Sequence, residues 1–368
     1  MPTVQLQEKP HREMKLPINT ERFNYFSLLP CAALGLLFDS CPFLAAEGPT
    51  FGDPVSTGTV NVPGLDEASG MIASRSNDGV FWSHNDKGGL PRIYAFAITG
   101  EHLGTYNLPG ATAIDYEDMT VGPGPISGVD YLYVGDTGDG NKAPVRESIQ
   151  IYRAPEPAVY LSQAASSVET DLSGLTTLSL KYPDGPRNAE SLMMDPLTGD
   201  LYIIPLTKLP AASGIYRATK EQLIQGGTIM LSREGEVTFA VASGGDISPT
   251  GKEIVLRQER LASVWVREPG QTVAGALAGI PCSLPIVGKP DEQNGEAIAF
   301  DPEGWGYYTL SDSLATQPLR YFGRTSPFAE TRLDPIVKQG SEWLYDDAGP
   351  LPPEDWYAPT FNARLFTS

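Results

Sequence analysis

Two stretches of this chain follow one plan: Asn188 to Leu206 (NAESLMMDPLTGDLYIIPL) and Gly295 to Asp312 (GEAIAFDPEGWGYYTLSD). In each, an acidic residue opens a short apolar strand, an Asp-Pro turn closing on Gly follows, and a second apolar strand returns. Pro presets φ at the turn entry and Gly accepts φ > 0 near its exit, so both segments read as tight hairpins. A hairpin that recurs along a chain points to a repeat architecture before any local assignment is made.

The acid that precedes a short apolar strand recurs at Glu67, Glu117, Glu190, Asp246 and Glu296, with spacings of 50, 73, 56 and 50 residues. Such periods fit one four-stranded propeller blade each. From Glu67 the strands read as 71–74, 80–84, 93–98 and 104–108. From Glu117 they read as 119–121, 131–135, 148–154 and 176–181, the long period being taken up by a polar insertion at 162–173. From Glu190 come the two hairpin strands, 214–217, a short helix at 220–225 and a strand at 237–242. Asp246 opens a brief inner strand followed by 253–257, 263–267 and 283–287, and Glu296 opens 297–300, 307–310 and 319–323. That last unit lacks a fourth strand, and Val55 to Pro63 has the character of one. The predicted fold is therefore all-β: a β-propeller of four-stranded blades, five in number, with the N-terminal strand closing the last blade and leaving no open sheet edge at the seam. A sixth unit beginning at Glu342 is the alternative.

Composition agrees, with 38 Gly and 33 Pro among frequent Tyr, Val, Ile and Thr. The chain carries a net charge of −19. Residues 1–46 hold four basic side chains (Lys9, Arg12, Lys15, Arg22) and four acidic ones (Glu8, Glu13, Glu21, Asp39), so the remainder holds all of that charge. Such a surface repels nucleic acid and favours cations or donor-rich ligands. Phe26 to Phe38 has the length of a signal-peptide apolar core, and Leu44-Ala45-Ala46 offers small residues for cleavage. The expected organisation is a signal peptide at 1–46, a propeller at 50–328 and a tail at 329–368, in a secreted or periplasmic monomer with no membrane-spanning segment after cleavage. Only Cys282 would then remain, which leaves no intrachain disulfide.

In a propeller the residues opening the innermost strands gather at one mouth of the central channel. Like charges brought that close raise one another's pKa or recruit a cation, and hard oxygen ligands suit Ca²⁺. The expected metal-ligating set is Glu67, Asp86, Glu117, Asp136, Asp139, Glu190, Asp246 and Glu296, with Asp312 on the same rim. Asp86, Asp136 and Asp139 enter because each follows a second strand that runs back to the mouth. The alternative for any one acid is a bond to backbone N–H groups of the next blade. Candidate catalytic bases are Glu117, Glu190 and His84. Tyr116, Trp82 and Trp305 are candidates for stacking a ring, with core packing as the alternative.

The series EASGM, WSHND, DYED, GDTGD, YPDGPRNAES, GGDISPTG and GEAIAFDP resembles a family of secreted bacterial propeller proteins, largely of unknown function, over residues 58 to 325. The layout is more distantly similar to lactonase, gluconolactonase and phytase-like propellers, whose calcium sits at the channel mouth. Gly340 to Ala363 resembles the opening of a galactose-binding-like β-sandwich. Two functions are expected from these readings. The first is binding of an extracellular small molecule or glycan through an acidic, Ca²⁺-bearing face; the second is Ca²⁺-dependent hydrolysis of esters, lactones or phosphoesters.

Overall fold

The computed structural model describes residues 48–140, 144–208, 211–312 and 316–326. The expected signal peptide, the tail at 329–368 and Glu342 lie outside these residues. The chain enters through β1 (Val55–Val60). Blade one is built from β2 (Ala68–Ala73), β3 (Val80–Asn85), β4 (Arg92–Ala97) and β5 (His102–Asn107). Blade two takes β6 (Tyr116–Pro123), β7 (Asp130–Asp136) and β8 (Ile149–Pro155), then, after a detour through β9 (Val168–Asp171), β10 (Thr176–Lys181). Blade three holds β11 (Ala189–Met194), β12 (Leu201–Pro205) and β13 (Ser213–Ala218). The helix α1 (Lys220–Gln225) and β14 (Thr228–Met230) precede its fourth strand, β15 (Ser232–Val237). Blade four is β16 (Gly244–Ile247), β17 (Glu253–Gln258) and β18 (Leu261–Val266), then α2 (Val273–Leu277) and β19 (Cys282–Leu284). Blade five is β20 (Gly295–Phe300), β21 (Gly306–Ser311) and β22 (Gln317–Gly323), completed by β1.

The five sheets form a closed ring. The inner strands β2, β6, β11, β16 and β20 touch in succession, and β20 returns to β2. β16 also reaches β6 and β2 across the axis, so the channel is narrow. The seam is the antiparallel pairing of β1 with β22, from Val55 opposite Tyr321 to Val60 opposite Gln317. Phe51 extends it by pairing with Arg324, whose guanidinium lies 5.0 Å from the Phe51 ring. The protein is thus an all-β, five-bladed propeller closed by its N-terminal strand.

Strand identity follows from burial on both faces. The middle strands are buried almost throughout, as expected of sheets packed face to face on two neighbours. Ridges of large side chains fill the inter-blade spaces, including Trp82, Tyr133, Trp265 and Phe300. Polar locks add direction to this packing. Arg267, at the end of β18, donates to Asp195 in the first turn of blade three (2.8 Å). Arg324 pairs with Glu253 at the start of β17. Glu156, after β8, accepts from the indole N–H of Trp82 in blade one (2.8 Å). Each lock ties the third strand of one blade to the preceding blade.

Three details differ from the sequence reading. The insertion at 162–173 is not idle, because β9 adds to the outer edge of blade one, parallel to β5. β14 likewise adds to blade two, parallel to β10. The fourth strand of blade three is Ser232–Val237 rather than 237–242, since β14 draws the chain back early. The apolar residues beyond it, Phe239, Ala240 and Ala242, are buried in the connection to blade four, with Phe239 packed 5.8 Å from Trp265. Among the described residues no helix is long and apolar enough to cross a membrane.

Candidate functional site

The inner strands share a local irregularity that decides where their acids point. Tyr116 faces Asp136 and Asp118 faces Gly135, which leaves Glu117 unpaired between them. Glu190 sits in the same way between Ala189 and Ser191, and Glu296 between Gly295 and Ala297. A bulge of this kind re-aims a side chain, and here it places three glutamates at equivalent positions of blades two, three and five. In β2 the slip falls between Ala68 and Met71, so Ser69 and Gly70 occupy the place of the acid. Glu67 lies just ahead of that strand and is exposed. β16 pairs without a slip and carries Gly244 and Gly245 at this level.

Three carboxylates converge on the blade-one and blade-two side of the mouth. Asp86 follows β3, Asp115 precedes β6 and Glu117 fills the β6 bulge; one oxygen from each lies within 4.8 Å of the others. Oxygens around Ca²⁺ at its usual bond length stand up to about 5 Å apart, so the spacing suits a shared ion. Asp115 is only 7 % exposed. Its Oδ2 accepts the Gly140 N–H (3.2 Å), while its Oδ1 is buried with no hydrogen-bond partner among the described residues. Gly138 makes the cradle: a Cβ there would stand 2.1 Å from Glu117 Oε1 and 2.5 Å from Asp115 Oδ2, so no other residue fits without moving both acids.

Glu190, Glu296 and Asp312 continue the acidic lining around the mouth. Burial, opposed by the Asn188 amide and reinforced by Asp86 and Asp115, pushes Glu190 up to about 7. Burial together with Asp312, Glu190 and Asp86 takes Glu296 to about 8. Asp312 rises to about 6 through burial and the charges of Asp86 and Glu67. Glu117 is raised well above the usual range by burial and then by Glu190, Asp86, Asp115 and Glu296. Shifts of this sign in several neighbouring carboxyls come first from burial and then from mutual repulsion, both of which a proton or a cation would relieve.

Other residues singled out in the sequence have internal partners. Asp136 accepts from the N–H of Asp115 (3.1 Å) and from the guanidinium of Arg146 (2.7 Å), and so anchors the loop that carries Asp115. Asp139 accepts the Arg146 N–H (2.6 Å) and that of Val145, folding the same segment back. Asp246 lies deeper in the channel, where Oδ2 accepts the Phe300 N–H of blade five (2.9 Å). It thereby takes the backbone-bonding alternative. Asp118, one residue past Glu117, does the same to Leu192 of blade three (2.9 Å). Its Oδ1 would lie 2.9 Å from a Cβ on Gly70 of blade one, so this carboxyl spans the axis beneath the mouth.

His84 is fully buried below the mouth, edge-on to Tyr116 and held neutral by burial at about 4. Trp82 and Tyr116 are core side chains, whereas Trp305 is half exposed on the turn at the opposite end of the inner strands. Asp115 is not among the sequence candidates, and Asp118, which beside Glu117 reads in the sequence as an acid–base pair, is instead bonded to backbone. The two-residue spacing of Asp115 and Glu117 is a strand-face signal that would have found the first.

No protein-family model and no curated protein matches the sequence. Among solved structures the chain is similar to one described as "Crystal structure of Nidogen/Laminin Complex", with 12% identity and a TM-score of 0.40 over 67% of this chain and 73% of that one.

Proposed function

We propose that the channel mouth holds a divalent cation, Ca²⁺, on Asp86, Asp115 and Glu117, and that an exported propeller uses it to bind an extracellular small molecule or glycan. The observation that carries this reading is the buried Oδ1 of Asp115, without a partner among the described residues, inside a triad of carboxylates with ligand spacing. Burying an anionic oxygen without a partner costs several kcal/mol, and a cation is the partner this lining provides for. Glu190, Glu296 and Asp312 then set the electrostatic field around the ion.

The test is a thermal melt in Ca²⁺ against a chelator. At a hundredfold excess over Kd a ligand of the folded state adds about 2.7 kcal/mol, a rise of several degrees. Loss of that rise in Asp115→Asn supports the site; an unchanged midpoint in the parent removes the ion.

A second reading, Ca²⁺-dependent hydrolysis of esters, lactones or phosphoesters, is favoured by Glu190. A carboxyl near neutrality beside a metal site has the proton affinity of a general base, with the ion polarising the substrate. Glu117 is committed to the triad in this reading, and His84 is buried beneath Gly70, so Glu190 is the remaining candidate. Screening the three substrate classes with parent and Glu190→Gln decides it, since equal rates exclude Glu190 as base.

A further inference from the structure

Two places back from Ser69, Glu117, Glu190 and Glu296 stand Glu67, Asp115, Asn188 and Asn294. In each blade the backbone carbonyl of that residue accepts an N–H from the chain just past the second strand: from Asp86 (2.9 Å), Gly138 (3.1 Å), Leu206 (2.9 Å) and Asp312 (2.7 Å). The repeated bond sets the four positions at one level of the mouth. Blades one and two supply acids at this level, whereas blades three and five supply amides.

Asn188 uses its amide in both directions. Its Oδ1 accepts the N–H of Asp139, the residue after the Gly138 cradle, and its Nδ2 donates to Glu190 Oε1 (3.0 Å). One side chain therefore ties Glu190 of blade three to the loop that holds the triad in blade two. Among the described residues no other hydrogen bond reaches the Glu190 carboxylate, which leaves Oε2 to accept from a ligand.

The chemistry of this opening selects what it can hold. Three carboxylates offering one oxygen each leave open positions on Ca²⁺, which takes about six to eight. Charge disfavours an anion there. The triad with Glu67, Glu190, Glu296 and Asp312 makes seven acids against a divalent ion and the one ammonium of Lys87, negative by four, and still by two with Glu190 and Glu296 protonated. An ammonium ligand answers the acids but has no lone pair for the ion. A hydroxyl does both, because its oxygen ligates the ion while its proton goes to a carboxylate. We propose that the ion on Asp86, Asp115 and Glu117 and the carboxylate of Glu190, positioned by Asn188, together grip a vicinal diol of a neutral sugar. The grip rests on the cation reading above and narrows its ligand to one class. Neighbouring hydroxyl oxygens take open positions on the ion, and one of them donates to Glu190 Oε2.

Calorimetric titration of the full chain tests it, first with Ca²⁺ alone and then with methyl mannoside, methyl glucoside, permethylated methyl mannoside, acetate and methylammonium, each with and without Ca²⁺. The two glycosides offer cis and trans diols; the permethylated one keeps its oxygens but has no O–H to donate. The expected result is Ca²⁺-dependent binding of a glycoside, at least about tenfold tighter than the permethylated form, acetate or methylammonium. Glu190→Gln should weaken that glycoside roughly tenfold while Ca²⁺ alone still binds. Asn188→Asp keeps the acceptor for the Asp139 N–H and removes only the donor to Glu190. The glycoside should then weaken several-fold while Ca²⁺ alone binds at least as tightly, a split that a general loss of packing does not produce. Ca²⁺ binding with neither glycoside bound overturns the diol and leaves the cation site standing. Acetate or methylammonium binding as tight as a glycoside's, or glycoside affinity indifferent to Glu190→Gln, overturns it as well. No Ca²⁺ binding by the parent overturns the cation reading itself, and the diol with it.

Discussion

Glu117→Gln separates a carboxylate kept for an ion from one kept for the fold. The Glu117 oxygen lies within 4.8 Å of both Asp86 and Asp115. At an effective dielectric constant near 20, two like charges at that distance repel by about 3 kcal/mol. Proton uptake relieves part of this, because Glu117 is raised well above the ordinary carboxyl range and Glu190 to about 7. A carboxyl whose folded pKa exceeds its unfolded one binds more protons when folded, so its stability contribution is present at low pH and is lost as pH rises through the folded value. Without metal, the parent should therefore lose stability across about pH 5 to 8, the span defined by Asp312 near 6, Glu190 near 7 and Glu296 near 8. The amide removes one member of the repelling set. At pH 8 in chelator, Glu117→Gln should gain roughly 1–3 kcal/mol, or about 2–6 °C in Tm. At pH 5 the gain should shrink towards zero, and the response to Ca²⁺ should be lost at both values. Scanning calorimetry at the two pH values, with chelator and with Ca²⁺, reads all four numbers. A Tm that falls at pH 8 in chelator would show that the carboxylate stabilises the fold itself, and the reasoning would fail.

Two further outcomes follow from the same geometry. Gly138→Ala pushes a methyl into Glu117 and Asp115, so Ca²⁺ affinity should drop at least about tenfold while overpacking costs about 1–3 kcal/mol; titration and denaturant unfolding read the two effects separately. Arg267→Met strands the fully buried Asp195 carboxylate, and urea unfolding should show a loss of about 3–5 kcal/mol with Ca²⁺ affinity unchanged, since that lock lies at the other end of the blades.

Much of the propeller was legible because its grammar is local. The Asp-Pro and Gly turns at 195–200 and 301–306 and the apolar strands beside them report the hairpins directly. Thr176–Lys181 and the helix Lys220–Gln225 fall where the sequence places them. The helix carries its own signal, a Thr219 cap whose hydroxyl accepts the Gln222 N–H. The parallel strands β9 and β14 were not legible. Their edges are supplied by β5 and β10, far from them in sequence, and β9 has no buried face to pattern it.

The site divides along the same line. That acids recur before inner strands, and that second strands end in Asp86 and Asp312, is written in the chain. Which of them meet is decided by a one-residue slip in pairing with the neighbouring strand. The slip presents Glu117, Glu190 and Glu296, substitutes Ser69 for Glu67, and is absent in β16, where Asp246 sinks to the Phe300 backbone. Sequence by itself determined the repeat, the hairpins and the excess of negative charge, because turn chemistry and strand alternation act over a few residues. Only the closed ring decided which carboxylates become neighbours and which are bound by backbone. The slip is set by pairing with the next strand, 13 to 20 residues further on, and the convergence of five strands on one axis relates segments about fifty residues or more apart.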